Sequence, residues 1–244
     1  MLRRGASASR ADREPPPGYP GEVILSIDTS LGTAVAVVEA DGVVRAEVSS
    51  DNPLGHAEVI GVLLREALAD AAHGAIGATV AAAPVEVTHV ATGMGPGPFT
   101  GLRVGIAAGR AFALGRALPV IPVPSHDAAA LGILLADPFA EMPRFGVVTD
   151  ARRREFAYSI YEGLDDDGLP IRVAGPALTP RDQIDVVLAE HGAARRDVTA
   201  IPATMIGLVA ARALAACRDL TGPEPLYLRA PDVTLPSAPK RVGT

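Results

Sequence analysis

Val85-Glu86-Val87-Thr88-His89-Val90-Ala91-Thr92 runs straight into Gly93-Met94-Gly95-Pro96-Gly97-Pro98-Phe99-Thr100-Gly101-Leu102-Arg103-Val104-Gly105-Ile106-Ala107-Ala108-Gly109. The first part reads as a strand over 85–92, the middle as a Gly/Pro turn, and the last as a helix capped by Thr100 and running to about Gly115. A strand feeding a helix through a tight turn is a unit of an α/β protein. The turn lets backbone come close, and the first helical N–H groups carry partial positive charge. An anion at Gly95 and Gly97 and a plain tight turn are both open on this evidence.

The helix says more. Gly101, Gly105 and Gly109 recur every four residues on one side, and each glycine costs a helix roughly 0.8–1 kcal/mol against alanine. Three of them imply close backbone approach to a neighbour. Leu102, Ile106 and Ala113 mark a second face, and only Arg103, Arg110 and Arg116 interrupt the apolar surface. A helix apolar nearly all round is covered on both sides. One cover is its own sheet. For the other we expect a partner's helix, docking on Gly101, Leu102, Gly105, Ile106, Gly109 and Phe112. Two-sided burial within the chain is the alternative.

Upstream, 23–28 and 33–39 read as strands, Asp41-Gly42 as a hairpin turn, and 43–49 as a third strand. A helix over 54–71 carries the stripe Ile60, Leu63, Leu64, Ala67, Leu68 and Ala71. Val59 and Val62 lie off that stripe and, with Leu63, join the expected partner surface. Residues 73–84 read as a connection, and 119–123 as a fifth strand. This β-β-β-α-β-α-β order is the plan of a ribonuclease-H-like lobe. Downstream we expect a helix over 125–135, a hairpin of 144–148 and 155–161 around Asp150, and a solvated turn at Asp165-Asp166-Asp167-Gly168. A helix over 181–191, a short strand over 198–201, a helix over 203–220 and a last strand over 226–228 complete the reading.

Composition sets bounds. Of 244 residues, 48% are hydrophobic and 4% aromatic, with no tryptophan, so the core is built of Ala, Val, Leu and Ile. A net charge of −6 makes the chain a poor holder of nucleic acid by itself. The single cysteine, Cys217, allows no internal disulfide and fits a reducing, cytoplasmic setting as a small helix-core residue. The single lysine, Lys240, leaves no Gly-Lys-Ser/Thr phosphate loop. Residues 1–21, with Pro15, Pro16, Pro17 and Pro20, read as a disordered extension, and 231–244 as a loose tail. No apolar run suits a membrane span.

Four segments occur in order: Val23-Ile-Leu-Ser-Ile-Asp28-Thr29-Ser30, the Gly93–Ile106 stretch, Asp150-Ala151-Arg152-Arg153-x-Glu155, and Pro225-Leu-Tyr227-Leu-Arg229. From about Glu22 to Lys240 the chain resembles the TsaB family, the non-catalytic subunits of the bacterial tRNA threonylcarbamoyladenosine machinery. The resemblance implies an actin/hexokinase-like (ASKHA) fold of two ribonuclease-H-like lobes, 22–123 and a reduced 124–230. It implies pairing with the catalytic paralogue TsaD through the first lobes, with TsaE, an ATPase, joining the pair. TsaD moves a threonylcarbamoyl group to N6 of adenosine 37 in tRNAs reading codons that begin with A. tRNA then meets this chain only through the complex, and a homodimer in the partner's absence stays open.

The residues argue against chemistry in this copy. The catalytic paralogue holds metal with a His-x-x-x-His pair just after the fifth strand; here the stretch is Ser125-His126-Asp127-Ala128-Ala129-Ala130. The five histidines, His56, His73, His89, His126 and His191, form no set with metal-ligand spacing. Actin-like ATPases place a phosphate loop where Asp28, Thr29 and Ser30 stand. Their second-lobe Asp-x-Gly is Asp150-Ala151-Arg152 here, and a side chain obstructs backbone approach to phosphate. We expect a degenerate nucleotide site at Asp28, Thr29, Ser30, Gly95, Gly97 and Thr100, no required cofactor, no catalytic residue and no metal. Weak ATP or ADP binding, and an independent ATPase or phosphotransferase, are the alternatives. A peptidase built on adjacent Ser125 and His126 lacks an orienting carboxylate.

Overall fold

The computed structural model describes residues 21–52, 55–73, 85–137 and 143–229. The expected extension (Gly21 apart), the tail at 231–244 and most of the 73–84 connection lie outside the described residues.

Strand β1 (Val23–Asp28) is buried along its whole length. Both faces of its sheet are covered, which is why Val-Ile-Leu-Ser-Ile is nearly continuously apolar rather than alternating. Strands β2 (Thr33–Glu39) and β3 (Val44–Ser50) extend it antiparallel on one side. Strands β4 (His89–Gly93) and β5 (Val120–Val123) add parallel to β1 on the other, giving the order β3-β2-β1-β4-β5. Helices α1 (His56–Ala71) and α2 (Phe99–Arg116) cover one face. Ile60, Leu63, Ala67 and Ala71 of α1, with Val104, Ala108 and Phe112 of α2, pack over Leu25, Ile27, Val35 and Val37.

A second mixed sheet follows α3 (Ser125–Ala136). It holds β6 (Phe145–Asp150), β7 (Glu155–Leu164), β8 (Pro170–Pro180) and β9 (Ala194–Asp197) in the order β8-β7-β6-β9. Helix α4 (Ile184–Glu190) covers its outer face through Ile184 and Leu188 on Val148 and Ile160. Between the sheets lie α3 and α5 (Ala203–Ala215), sharing one core with Ile24, Ala91 and Val123 on one side and Phe145, Val147 and Tyr161 on the other. Helix α5 comes late in the chain yet seats Ala203 and Leu208 on Ala34, Ala36 and Val38 of the first sheet. The architecture is α/β with two mixed sheets, and the second, with four strands, is the smaller.

Several local readings are corrected. Strand β4 starts at His89, not 85: Thr88 N–H still donates to the Val23 carbonyl at 2.8 Å, but Val23 N–H is accepted at 3.0 Å by the Thr88 hydroxyl instead of a backbone carbonyl. The strand read at 198–201 is β9 at Ala194–Asp197, whose Ala-Arg-Arg-Asp sequence has no apolar alternation. Strand β8 was not legible at all: Pro170, Gly175, Pro176 and Pro180 argue against a strand, and only an edge position tolerates them. Leu226 joins no strand; its N–H donates one bond to the Met94 carbonyl at 2.8 Å. Cys217 is not a helix-core residue: it lies past the end of α5, exposed, at φ 52°. Nor does Thr100 cap α2, which starts one residue earlier, behind an extended Pro98, with no side-chain cap bond.

Candidate functional site at the carboxyl edge of the first sheet

Strands β1, β3, β4 and β5 all run the same way. The Asp28–Ser30 turn and the starts of α1, α2 and α3 therefore gather at one sheet edge, where ligand crevices of open α/β sheets lie.

At that edge Asp28 is closed in. Its carboxylate accepts from the Ser125 hydroxyl at 2.6 Å, from Ser30 N–H at 2.8 Å and from the Ser30 hydroxyl. Ser125 in turn accepts Gly95 N–H at 3.0 Å. Burial pushes the Asp28 carboxyl above the ordinary range, against the pull of hydrogen bonds from Ser125 and Ser30. Gly93 makes room for this knot, since a Cβ there would stand 2.9 Å from Ser125 Oγ and inside the Asp28 carboxylate. Thr29 is buried too and donates to the Gly101 carbonyl at 2.8 Å. Asp28, Thr29, Ser30 and Gly95 thus tie the β1 turn to the starts of α2 and α3, while Gly97 and Thr100 reach the surface.

The glycine stripe of α2 faces inward, which corrects the expected partner contact at those positions. A Cβ on Gly105 would meet Thr29 Cγ2 at 2.8 Å and its hydroxyl closer still; one on Gly101 would meet the Thr29 carbonyl at 2.8 Å and His56 Nε2 at 3.0 Å. Gly109 lies against Thr92. Leu102 and Ile106 are also buried, under Met94, Leu226 and Tyr227. Leu63 is in the core beneath α1. Of the residues expected at a partner surface, Val62 is fully outward at 49% exposure, and Val59 and Phe112 are half-buried. Leu114, which the helical stripe did not single out, is 84% exposed.

Ser125 and His126 point apart. Both ring nitrogens of His126 are engaged by the second sheet, Nδ1 with Ser159 Oγ at 2.9 Å and Nε2 with Thr149 Oγ1 at 3.0 Å. Burial, with the nearby Arg172 charge, lowers its pKa to about 3, so the ring is neutral. Next to it, buried Asp127 accepts from Tyr161 at 2.7 Å and faces Arg172 at 3.6 Å. Among the described residues no group of His, Cys, Asp and Glu could hold a metal ion.

Beside the Asp28 knot a cleft of about 640 Å³ opens between the α2 start and the second sheet. One wall is Pro96–Gly101 with Leu31 and His56; the other is Thr149–Arg153, Ala157 and Leu178; Tyr227, Leu228 and Arg229 close one side. Arg152, Arg153 and Arg154 are all left-handed, at φ 61°, 52° and 63°, a conformation that costs a side-chain-bearing residue about 1–2 kcal/mol. The turn is held by Asp150, which accepts Arg152 N–H and Arg181, each at 2.7 Å. It is held again by Arg229, which donates to the Ala151 carbonyl at 3.2 Å and pairs with Glu155. The Asp-Ala-Arg and Tyr-Leu-Arg segments, far apart in sequence, are therefore two halves of one structure.

Across residues 39–176 the sequence matches the family described as TsaD: tRNA N6-adenosine threonylcarbamoyltransferase. The chain belongs to this family. An uncharacterized protein of Mycobacterium bovis is 38% identical over 221 residues, 86% of this chain and 92% of that protein. The tRNA N6-adenosine threonylcarbamoyltransferase of Streptococcus suis is 32% identical over 152 residues, 56% of this chain and 42% of that enzyme. YeaZ from Pseudomonas aeruginosa has the same fold, with a TM-score of 0.62, 22% identity, and coverage of 85% of this chain and all of that one. No helix among the described residues is long and apolar enough to cross a membrane.

His56 is the cleft residue that sequence reading missed. It is an isolated histidine without a motif. Its signal lay in topology: β3 runs with β1, so the first residue of α1 must stand at the same edge as Asp28.

Proposed function

We propose that this TsaD-family chain is a TsaB-type, non-catalytic subunit. It pairs with a TsaD-type catalytic paralogue, with a TsaE-type ATPase joining, for transfer of threonylcarbamoyl to N6 of adenosine 37 in tRNA. The observation that carries this reading is His126. Where the resemblance places a metal-holding His-x-x-x-His pair, this chain has one histidine with both nitrogens occupied by Thr149 and Ser159, and Ala130 in place of the second. The Asp28 carboxylate, likewise taken by Ser125 and Ser30, is spent within the fold rather than turned toward a metal–nucleotide complex. The proposed role calls for no cofactor of its own, and tRNA is met through the complex.

The partner surface in this reading is the outward face of α1 and α2, around Val62, Leu114 and the half-buried Val59 and Phe112. Ala107, Ala111 and Gly115 are exposed beside them and let another helix come close. Leu114→Asp is expected to leave the chain folded and abolish co-elution with the TsaD-type protein in size-exclusion chromatography. Co-elution that survives both Leu114→Asp and Val62→Asp would overturn the proposed surface.

A further inference from the structure

The described chain reaches the rim of the cleft and continues beyond it. Tyr227, Leu228 and Arg229 close one side of the cleft, and residues 230–244 follow from there. This rim is anchored at both walls. Tyr227 is held on the α2 side by Arg103 Nε at 2.8 Å; Arg229 is held on the second-sheet side by the Ala151 carbonyl at 3.2 Å and by Glu155. The residues after Arg229 are therefore launched from a fixed point at the cleft mouth. Inside, the fold leaves leucines half-buried on opposite walls: Leu31 on one and Leu178 on the other. The lining is not uniformly apolar, since Thr149, Asp150, Arg152, Arg153 and Arg229 share it. Asp150 and Arg229 are bound into the Asp150–Glu155 turn. Arg152 is exposed and gives the second-sheet wall a positive charge.

The sequence that follows Arg229 is Ala230-Pro231-Asp232-Val233-Thr234-Leu235-Pro236. Proline disfavours helical backbone in the residue before it, so Ala230 and Leu235 are both biased toward extended geometry. Along an extended segment Val233 and Leu235 share one face, and Asp232 and Thr234 the other. The seven residues span at most about 23 Å, and the tether keeps them near the cleft at an effective concentration on the order of millimolar. Residues 1–20 have no such access. They join at Val23, the opposite end of β1 from Asp28. We infer that the 230–236 segment lies back across the cleft of its own chain, with Val233 and Leu235 on Leu31 and Leu178 and Asp232 facing Arg152. The segment then acts as a built-in cover, and whatever enters the cleft must first displace it. The inference does not depend on the partner reading.

The test is methyl NMR on the full chain labelled at Val and Leu. Nuclear Overhauser contacts are expected from the Val233 and Leu235 methyls to those of Leu31 and Leu178. The double change Val233→Ser with Leu235→Ser, made outside both sheets and their helices, is expected to abolish these contacts and move the Leu31 and Leu178 signals. A synthetic peptide of residues 230–237 is then added to each protein. It is expected to shift the Leu31 and Leu178 methyls of the double variant saturably, and to bind the parent roughly tenfold more weakly because the parent's own segment competes. No contact between the segment and Leu31 or Leu178 in the parent would overturn the inference. So would equal peptide binding by parent and variant. Contacts seen only between differently labelled molecules in a mixed sample would assign the cover to a second copy and overturn it as well.

Discussion

Gly105→Ala separates an inward glycine stripe from an outward one by the sign of its effect. On an exposed helix the change stabilises, by about 0.8–1 kcal/mol, because alanine restricts the unfolded chain and glycine does not. Here the new Cβ would stand 2.8 Å from Thr29 Cγ2 and closer to its hydroxyl. Thr29 is buried and anchored to the Gly101 carbonyl at 2.8 Å, so it has nowhere to turn without giving up that bond. Overpacking of this kind costs about 1–3 kcal/mol, and the lost hydrogen bond about 1 kcal/mol more. Set against the propensity gain, the net loss is about 1–3 kcal/mol, a fall in Tm of roughly 3–10 °C for a domain of this size. Gly61→Ala is the control: Gly61 lies in α1 with nothing within 4 Å of its missing Cβ, and the change is expected to stabilise. Urea unfolding followed by circular dichroism reads both. A Gly105→Ala chain as stable as the parent, with Gly61→Ala behaving as expected, would refute inward packing of the stripe.

Two further outcomes follow from the same contacts. His126 is held neutral at a pKa of about 3 against 6.5 in the unfolded chain, so its contribution is fully present above pH 6.5 and is lost as pH falls toward 3. Its share of the slope is at most about 1.4 kcal/mol per pH unit, and comparison of pH-dependent urea midpoints between the parent and His126→Gln isolates it; identical slopes would contradict burial of the neutral ring. Tyr227→Phe removes only the bond from Arg103 Nε at 2.8 Å and is expected to cost about 0.5–1.5 kcal/mol. Tyr227→Ala also removes the ring packed 4.7 Å from Phe99 and is expected to cost about 2–4 kcal/mol. Equal losses for the two changes would show that the ring contact contributes nothing.

The first sheet and its helices were legible because their signals are strong and local: apolar runs for β1 and β2, a 3.6-residue stripe for α1, and a Gly/Pro turn before α2. The second sheet was less so. Arg-rich β9 and Pro-rich β8 are edge strands, paired on one side only, and edges place few demands on side chains. Asp28 was singled out because its motif is that of a phosphate-binding turn, but its donors, Ser125 and Ser30, give the same residues a structural task. A motif names the residue types; only the fold says whether another group has already taken their lone pairs.

Helix α2 shows the same limit in its sharpest form. Its sequence correctly required close approach on a glycine side and cover on an apolar side. Nothing in the spacing could say that the close neighbours are Thr29 and Thr92, or that the cover comes from Leu226 and Tyr227, more than a hundred residues downstream. Once both sides are satisfied within the chain, what α2 still offers a partner is narrow: Ala107, Ala111, Leu114 and Gly115, with Arg103 and Arg110 on its flank. Those two arginines are themselves drawn to the downstream segment, Arg103 to Tyr227 and Arg110 to the Pro223 carbonyl. The Tyr-Leu-Arg segment thus bounds the exposed surface of α2 on one side and, through Arg229 and the Asp150–Glu155 turn, the cleft on the other. Under the proposed pairing, a partner docking on α2 would press on this one strap, and Tyr227 and Arg229 would pass that load directly from α2 to the Asp150–Glu155 turn.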